Sequence, residues 1–417
     1  MFVFSGANIS STEKLLWINK ESQPVKNLTR IVDKIFLEKF GKKDGRIIVR
    51  SPGRVNLIGE HTDYNEGFVL PAAVDKAIFF AVAPRTDRCC RFYAADLEAS
   101  YECDLDSIQK SPEGWPNYLL GVIDQLRKAG NEVEGCDLVF GGDIPIGAGL
   151  SSSAALEAGF AFALNDLFEL GIQRLDLVKL AHRAENEFVG VQCGIMDQFV
   201  NIFGEPKKVL RLDCRSLEFE YYPFERDDIR IVLCDTQVRR ALASSEYNVR
   251  RRQCEAGVEA LRRYDGRLKS LRDVGQDFLS EHRNDLEPVV YKRCDYVVRE
   301  NIRVAQACED LQRNDFHSFG QRMYQSHRGL RDDYEVSCPE LDVLVELASA
   351  IDGVLGARMM GAGFGGCTIN LVEEAHVHDF VETIGRRFQE RMGGQIKVCA
   401  TSIQSGTTKL VDERIYV

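Results

Sequence analysis

Residues 51–64 read SPGRVNLIGEHTDY and gather one arginine, Arg54, with an acid, an imidazole and a second acid, Glu60, His61 and Asp63. The carboxylates offer hydrogen-bond acceptors and the imidazole a switchable donor, the equipment a site needs to grip the hydroxyls of a sugar. A second segment, PIGAGLSSSAALE at 145–157, points to phosphate. Gly147 and Gly149 let the backbone turn tightly and come close to a ligand. Ser151, Ser152 and Ser153 stand at the N-terminus of a predicted helix, where unpaired N–H groups and the helix dipole favour an anion. This cradle has no Walker lysine. No G-x-x-x-x-G-K-[ST] string occurs in the chain, which argues against a P-loop nucleotidase.

A third segment, CGIMDQF at 193–199, supplies Asp197. An acid there can accept a proton from an attacking hydroxyl or simply cap the helix that follows. The string GAGFGG at 361–366 satisfies the dinucleotide pattern G-x-G-x-x-G. That motif must follow a strand and open a helix, whereas here a β-like run, 367–372, comes after the glycines. The context excludes a dinucleotide fold.

Read together, segments 51–64, 145–157 and 361–367 resemble the galactokinase branch of the GHMP small-molecule kinases. The resemblance implies that the 145–157 loop wraps the phosphates of ATP, that Ser153 holds Mg²⁺, and that Glu185 is the second protein ligand of that ion. It implies Asp197 as the base, with Gly194 offering its backbone to the sugar. Arg54 is then the fixed guanidinium beside the base and the γ-phosphate, and also an ion-pair partner for Asp197. Glu60 would reach the O6 side of the sugar and Asp63 the O3 and O4 side, with His61 between them. Tyr247, within SSEYNVRRR at 244–252, would close the pocket, and Trp115 would face the adenine. Without the resemblance, Tyr247 reads as a helix-face aromatic and Glu185 as part of a solvated face. CPELD at 338–342 and Ser326-His327 are similar to further galactokinase strings. The usual galactokinase form has threonine where this chain has Met360, so a hydroxyl contact is lost there. The arginines at 250–252 read as a solvated helix face, and His376 and His378 as a surface loop.

These residues need elements to hold them. Leu28, Ile31, Val32, Ile35, Phe36 and Phe40 share one helical face. Short β-like runs at 46–50, 74–83 and 137–140 follow. The stretch 151–170 is apolar almost all round and predicts a buried helix, and 175–188 predicts an amphipathic one carrying Glu185. Beyond a boundary at 222/223, strands are expected at 229–235, 367–372 and 397–403, and helices at 246–264, 296–311 and 338–350. Irregular alternation of this kind predicts α+β rather than a doubly wound sheet. The resemblance makes residues 1–222 a ribosomal-S5-domain-2-like domain that binds sugar and ATP. It makes 223–417 a ferredoxin-like domain, with the site between the two.

Composition sets the outer limits. A chain of 417 residues has room for two cores. Its net charge of −11 argues against a general nucleic-acid binder, which needs a basic face. The 13 cysteines form no Cys-x-x-Cys pair, so free thiols in a reducing compartment are expected. No run approaches the roughly 18 apolar residues of a membrane span. With no basic leader ahead of the apolar start MFVF, a cytoplasmic protein is expected, as a monomer with galactose and ATP as its small-molecule partners. A kinase acting on N-acetylgalactosamine or arabinose is the rival enzyme reading. A galactose-and-ATP sensor is the rival of another class, although the intact 151–155 loop and Asp197 favour turnover.

Overall fold

A computed structural model describes residues 23–145, 149–238 and 243–410. Gly147 and the first 22 residues lie outside that set. The first half contains α1 (Gln23–Phe40), β1 (Ile47–Asn56), β2 (Phe68–Val69), β3 (Pro71–Pro84), β4 (Cys89–Ala94), β5 (Ala99–Asp104), α2 (Pro116–Lys128), β6 (Cys136–Gly142), α3 (Ser152–Leu167), α4 (Arg174–Arg183), α5 (Met196–Phe203), β7 (Lys208–Asp213) and β8 (Phe219–Pro223). The second half contains β9 (Ile229–Asp235), α6 (Ala243–Leu261), α7 (Gln276–Glu281), α8 (Pro288–Gln312), α9 (Phe316–Asp332), α10 (Pro339–Ser349), β10 (Val354–Met360), β11 (Cys367–Glu373), α11 (Val377–Met392), β12 (Lys397–Thr401) and β13 (Thr408–Leu410).

The strands form a six-stranded mixed sheet, β13-β1-β3-β6-β4-β5, a small sheet β2-β7-β8, and an antiparallel sheet β10-β11-β9-β12. Strand β3 shows why the large sheet is covered on both faces. Phe80 and Val82 pack into a cluster with α2 and α3, while Phe79, Ala81 and Ala83 pack against Val32 and Phe36 of α1. A third cluster joins the halves: Val55, Leu57 and Ile58, just past Arg54, bury against Ile231, Phe319 and Ile369. Burial of this kind contributes roughly 1.5–3 kcal/mol per large side chain, so the strand that carries Arg54 is anchored in a core shared by both domains.

Several expectations change. The boundary at 222/223 cuts the last residue from β8, and the chain later crosses back: β13 pairs with β1, so the end of the described chain belongs to the first sheet. On α1, Ile31 is 44% exposed, and Thr29 and Asp33 are buried in its place. Asp33 is admitted to that face because Arg46 pairs with it at 2.9 Å. The strand expected at 46–50 runs on to Asn56, through the motif itself, with a register shift between Pro52 and Arg54. The 265–295 region, for which no element was expected, holds α7 and the start of α8, and α9 and α11 likewise lie where no helix was expected. His376 and His378 sit on the turn into α11 and its first residues rather than on an open loop. None of the 13 cysteines is in a disulfide, and no described helix is long and apolar enough to cross a membrane.

Candidate active site

The bulge in β1 aims Arg54. Gly53 is required beside it, because a Cβ there would lie 2.8 Å from the Leu150 carbonyl oxygen, which in turn accepts the Arg54 N–H at 3.0 Å. The loop that precedes α3 is thereby pinned to the strand. Arg54 meets Asp197 in a two-pronged pair, Nε to Oδ1 at 2.7 Å and Nη2 to Oδ2 at 2.8 Å. Its remaining nitrogen donates to the Gly149 carbonyl. Burial alone would lower the guanidinium pKa; the Asp197 carboxylate more than offsets this and raises it. Asp197 is the second residue of α5, and that helix start carries no side-chain cap. Ser151, at positive φ, donates its hydroxyl to Asp197 instead of capping α3. A non-glycine residue held there costs on the order of 1–3 kcal/mol, the kind of strain that clusters at working sites.

A cleft of about 680 Å³ opens beside this pair, and its lining includes Arg54, Glu60, His61, Asp63, Gly194, Asp197 and Tyr247. Those seven expected residues are therefore brought together. Gly194 is explained by contact: a Cβ there would fall 1.9 Å from Asp63 Oδ2, so only glycine lets that carboxylate reach the cleft. Burial pushes the Asp63 carboxyl up to about 6, and the Asp197 and Glu60 carboxylates push the same way. Glu60 Oε1 accepts from Arg358 Nη2 at 3.1 Å and from the Gly361 N–H at 2.8 Å. His61 stacks 4.8 Å from Tyr334 and 5.6 Å from Tyr247, ring centre to ring centre. Desolvation, with Arg250 and Arg358 nearby, lowers its pKa to about 3, so the imidazole is neutral.

The metal candidates, Ser153 and Glu185, are not among the residues that line this cleft. Glu185 sits on a π-helical turn, Ala184–Val189, that continues α4, a distortion often found at functional positions. Its carboxylate accepts from Gln198 at 2.7 Å and also interacts with the hydroxyl of Ser153. Glu157, fully buried in α3, lies against Glu185; burial first, and Glu185 second, raises its pKa well above the ordinary carboxylate value. Two buried carboxyl groups beside a serine hydroxyl form a hard-oxygen set, which fits a Mg²⁺ ion. Among the described residues no group of three His, Cys, Asp or Glu side chains could hold a metal unaided, so phosphate oxygens would complete the sphere.

Other residues fall outside the cleft or were missed. Trp115 is 5% exposed, packed in the first core against Tyr101 and Phe140, and it does not line the cleft. Met360 is buried, its methyl 3.6 Å from where a Gly149 side chain would begin, so it packs against the loop that precedes α3. Arg250 is buried rather than solvated: it donates to the Tyr334 and Glu335 carbonyls at 2.7 Å each and fixes the helix that bears Tyr247. Arg358 went unread, yet it is 0% exposed and donates to the Asn56, Leu57 and Met359 carbonyls as well as to Glu60. A charge in the apolar strand VLGARMM was the available signal, since a buried cation must be paired. The loop 361–366 joins the antiparallel strands β10 and β11, as the exclusion of a dinucleotide fold required.

This geometry, an acid clamped by a guanidinium beside a serine-rich helix start, belongs to the GHMP kinases. The N-terminal domain of that superfamily matches residues 117–205 and its C-terminal domain residues 304–390. The galactokinase galactose-binding signature matches residues 34–84. A galactokinase of Roseiflexus sp. (strain RS-1) is 44% identical over 366 residues, covering 88% of this chain and 93% of that one. The Bacillus subtilis (strain 168) galactokinase is 40% identical across 91% of this chain and 98% of its own. The chain belongs to the galactokinase family. The crystal structure of Lactococcus lactis galactokinase complexed with galactose superposes with a TM-score of 0.88 at 38% identity, over 92% of this chain and all of that one. A mevalonate kinase at 18% identity and a TM-score of 0.61 shares the fold alone.

Proposed function

We propose that the protein transfers the γ-phosphoryl group of ATP to the C1 hydroxyl of α-D-galactose, giving α-D-galactose 1-phosphate and ADP. The observation that carries this reading is the two-pronged Arg54–Asp197 pair, set in the same cleft as Glu60, His61, Asp63, Gly194 and Tyr247. The C1 oxygen attacks the γ-phosphorus; the bond to the β–γ bridging oxygen breaks, and the hydroxyl proton passes to Asp197. Arg54 orients that carboxylate and faces the charge that spreads over the phosphoryl oxygens in a loose transition state. Ser152, Ser153 and the Gly149 backbone border the phosphate side, at the start of α3. Mg²⁺, held by Ser153 and Glu185, would neutralise phosphate charge. Cytoplasmic location and a monomeric state belong to the same proposal.

Buried acceptors also supply selectivity. An acceptor placed for an axial O4 hydroxyl is left unpaired by the equatorial epimer, a loss of about 1–3 kcal/mol for each stranded group. The test is a turnover assay with ATP and galactose, glucose, N-acetylgalactosamine or arabinose, the product identified by phosphorus–proton coupling at C1. Galactose is expected to give the highest kcat/KM. Preference for another sugar would overturn the substrate, and binding of galactose and ATP without turnover would favour a sensor.

A further inference from the structure

Behind the sugar-facing imidazole runs a string of hydroxyls. His61 Nδ1 lies 2.8 Å from the Tyr64 hydroxyl, Tyr64 lies 2.7 Å from the Tyr334 hydroxyl, and Tyr334 lies 3.2 Å from Cys254 Sγ. Burial raises both phenols well above their ordinary pKa and the thiol to about 11, so each member carries one proton. Such a string can be ordered in only two ways. In one, Nδ1 donates outward and the last phenol donates to sulfur. In the other, the thiol and both phenols donate inward and Nδ1 accepts. Sulfur is a weak acceptor and an imidazole nitrogen a good one, so the inward order is favoured.

A second observation leaves room for the donor that this order creates. His61 Nε2 is buried and has no hydrogen-bond partner, although the ring borders the cleft. The backbone of Ala362 lies near the ring and raises its proton affinity. We propose that the Cys254–Tyr334–Tyr64 string fixes His61 as the Nε2–H tautomer, so that Tyr64 is a positioning residue that makes His61 a hydrogen-bond donor to an oxygen of the bound sugar. The cleft then offers both halves of what a hydroxyl needs: acceptors at Glu60 and Asp63, and a donor at His61. Tyr334 comes from the second domain, so the tautomer is set across the domain boundary.

This inference rests on the sugar-kinase reading, but its test separates the two. Imidazole nitrogen shifts of uniformly ¹⁵N-labelled protein at neutral pH, without ligand, report the tautomer directly; comparison with an H61N spectrum assigns the resonance among the seven histidines. His61 is expected to show an unprotonated Nδ1 and a protonated Nε2. An Nδ1–H signal in the wild type would overturn the inference, whatever the substrate proves to be. In Tyr64→Phe the two tautomers should mix. The galactose KM should rise about tenfold, the effect of one misplaced hydrogen bond, with kcat and the ATP KM within about twofold. An unchanged tautomer or an unchanged galactose KM in that variant would also overturn it. The wild-type spectrum decides the matter even if the variant fails to fold.

Discussion

The two ends of the cleft are built differently. The end proposed for proton transfer, Arg54 with Asp197 and Ser151, is assembled wholly within the first half of the chain, by a bulged strand, a helix start and one ion pair. The wall proposed to read the sugar is assembled from both halves: Glu60 is gripped by Arg358 and the Gly361 N–H, and His61 is backed by Tyr334 and Tyr247. Chemistry can therefore be damaged locally, whereas recognition depends on how the second domain seats against the first. Changes at the first end should act on kcat, and changes at the second on the KM of the sugar.

The sharpest break is Asp197→Asn, which keeps shape and removes the base. It should lower kcat on the order of 10²–10⁴-fold, with galactose affinity by calorimetry within a few-fold of wild type. Arg54→Lys should follow, at roughly 10²–10³-fold in kcat, because an ammonium cannot reproduce the two-pronged contact or stabilise the transferring phosphoryl group as well. At the other end, Arg358→Lys should raise the galactose KM about tenfold and leave the ATP KM unchanged. A single ammonium cannot span the Asn56 and Leu57 carbonyls and still hold Glu60. A fall in kcat with no change in KM would erase the distinction between the two ends.

The smallest effect is in pH. Asp63 titrates near 6, and a sugar hydroxyl needs its ionised form as acceptor, so the galactose KM should climb as pH falls below about 6. The rise is at most about tenfold per pH unit, one proton being taken up. His61, near 3, stays neutral throughout that window and adds nothing. The sign for stability is opposite. A carboxyl raised from 3.8 to about 6 on folding stabilises the empty protein fully below 3.8, and that contribution is lost as pH rises through 6. Asp63→Asn should flatten the KM profile between pH 5 and 7, and an unflattened profile would assign the titration elsewhere.

What the sequence made legible divides along the same line. Arg54, Glu60, His61, Asp63, Gly194, Asp197 and Tyr247 stand in contiguous strings whose residue types announce their chemistry, and they converge on one cleft. The buried α3 and the broken dinucleotide pattern were likewise readable, because apolar periodicity and strand order are local properties. The supporting residues were not. Arg250 looks like one of three surface arginines until the carbonyls at 334 and 335 arrive from 84 and 85 residues away. Arg358 makes its contacts with Asn56 and Leu57 across some 300 residues. The return of β13 to β1 is a long-range pairing of a three-residue strand, too short to carry a pattern. Glu157 did leave a trace, an acid inside an apolar helix, but its neighbour Glu185 is on another element.

The most direct test of the account is a crystal structure with galactose and a non-hydrolysable ATP analogue bound together. The account predicts the C1 hydroxyl within about 3.2 Å of the Asp197 carboxylate, the Arg54 guanidinium beside it, and the γ-phosphate in line behind the C1 oxygen. A sugar bound with C1 turned away from Asp197, or held in a separate cavity from the nucleotide, would contradict it.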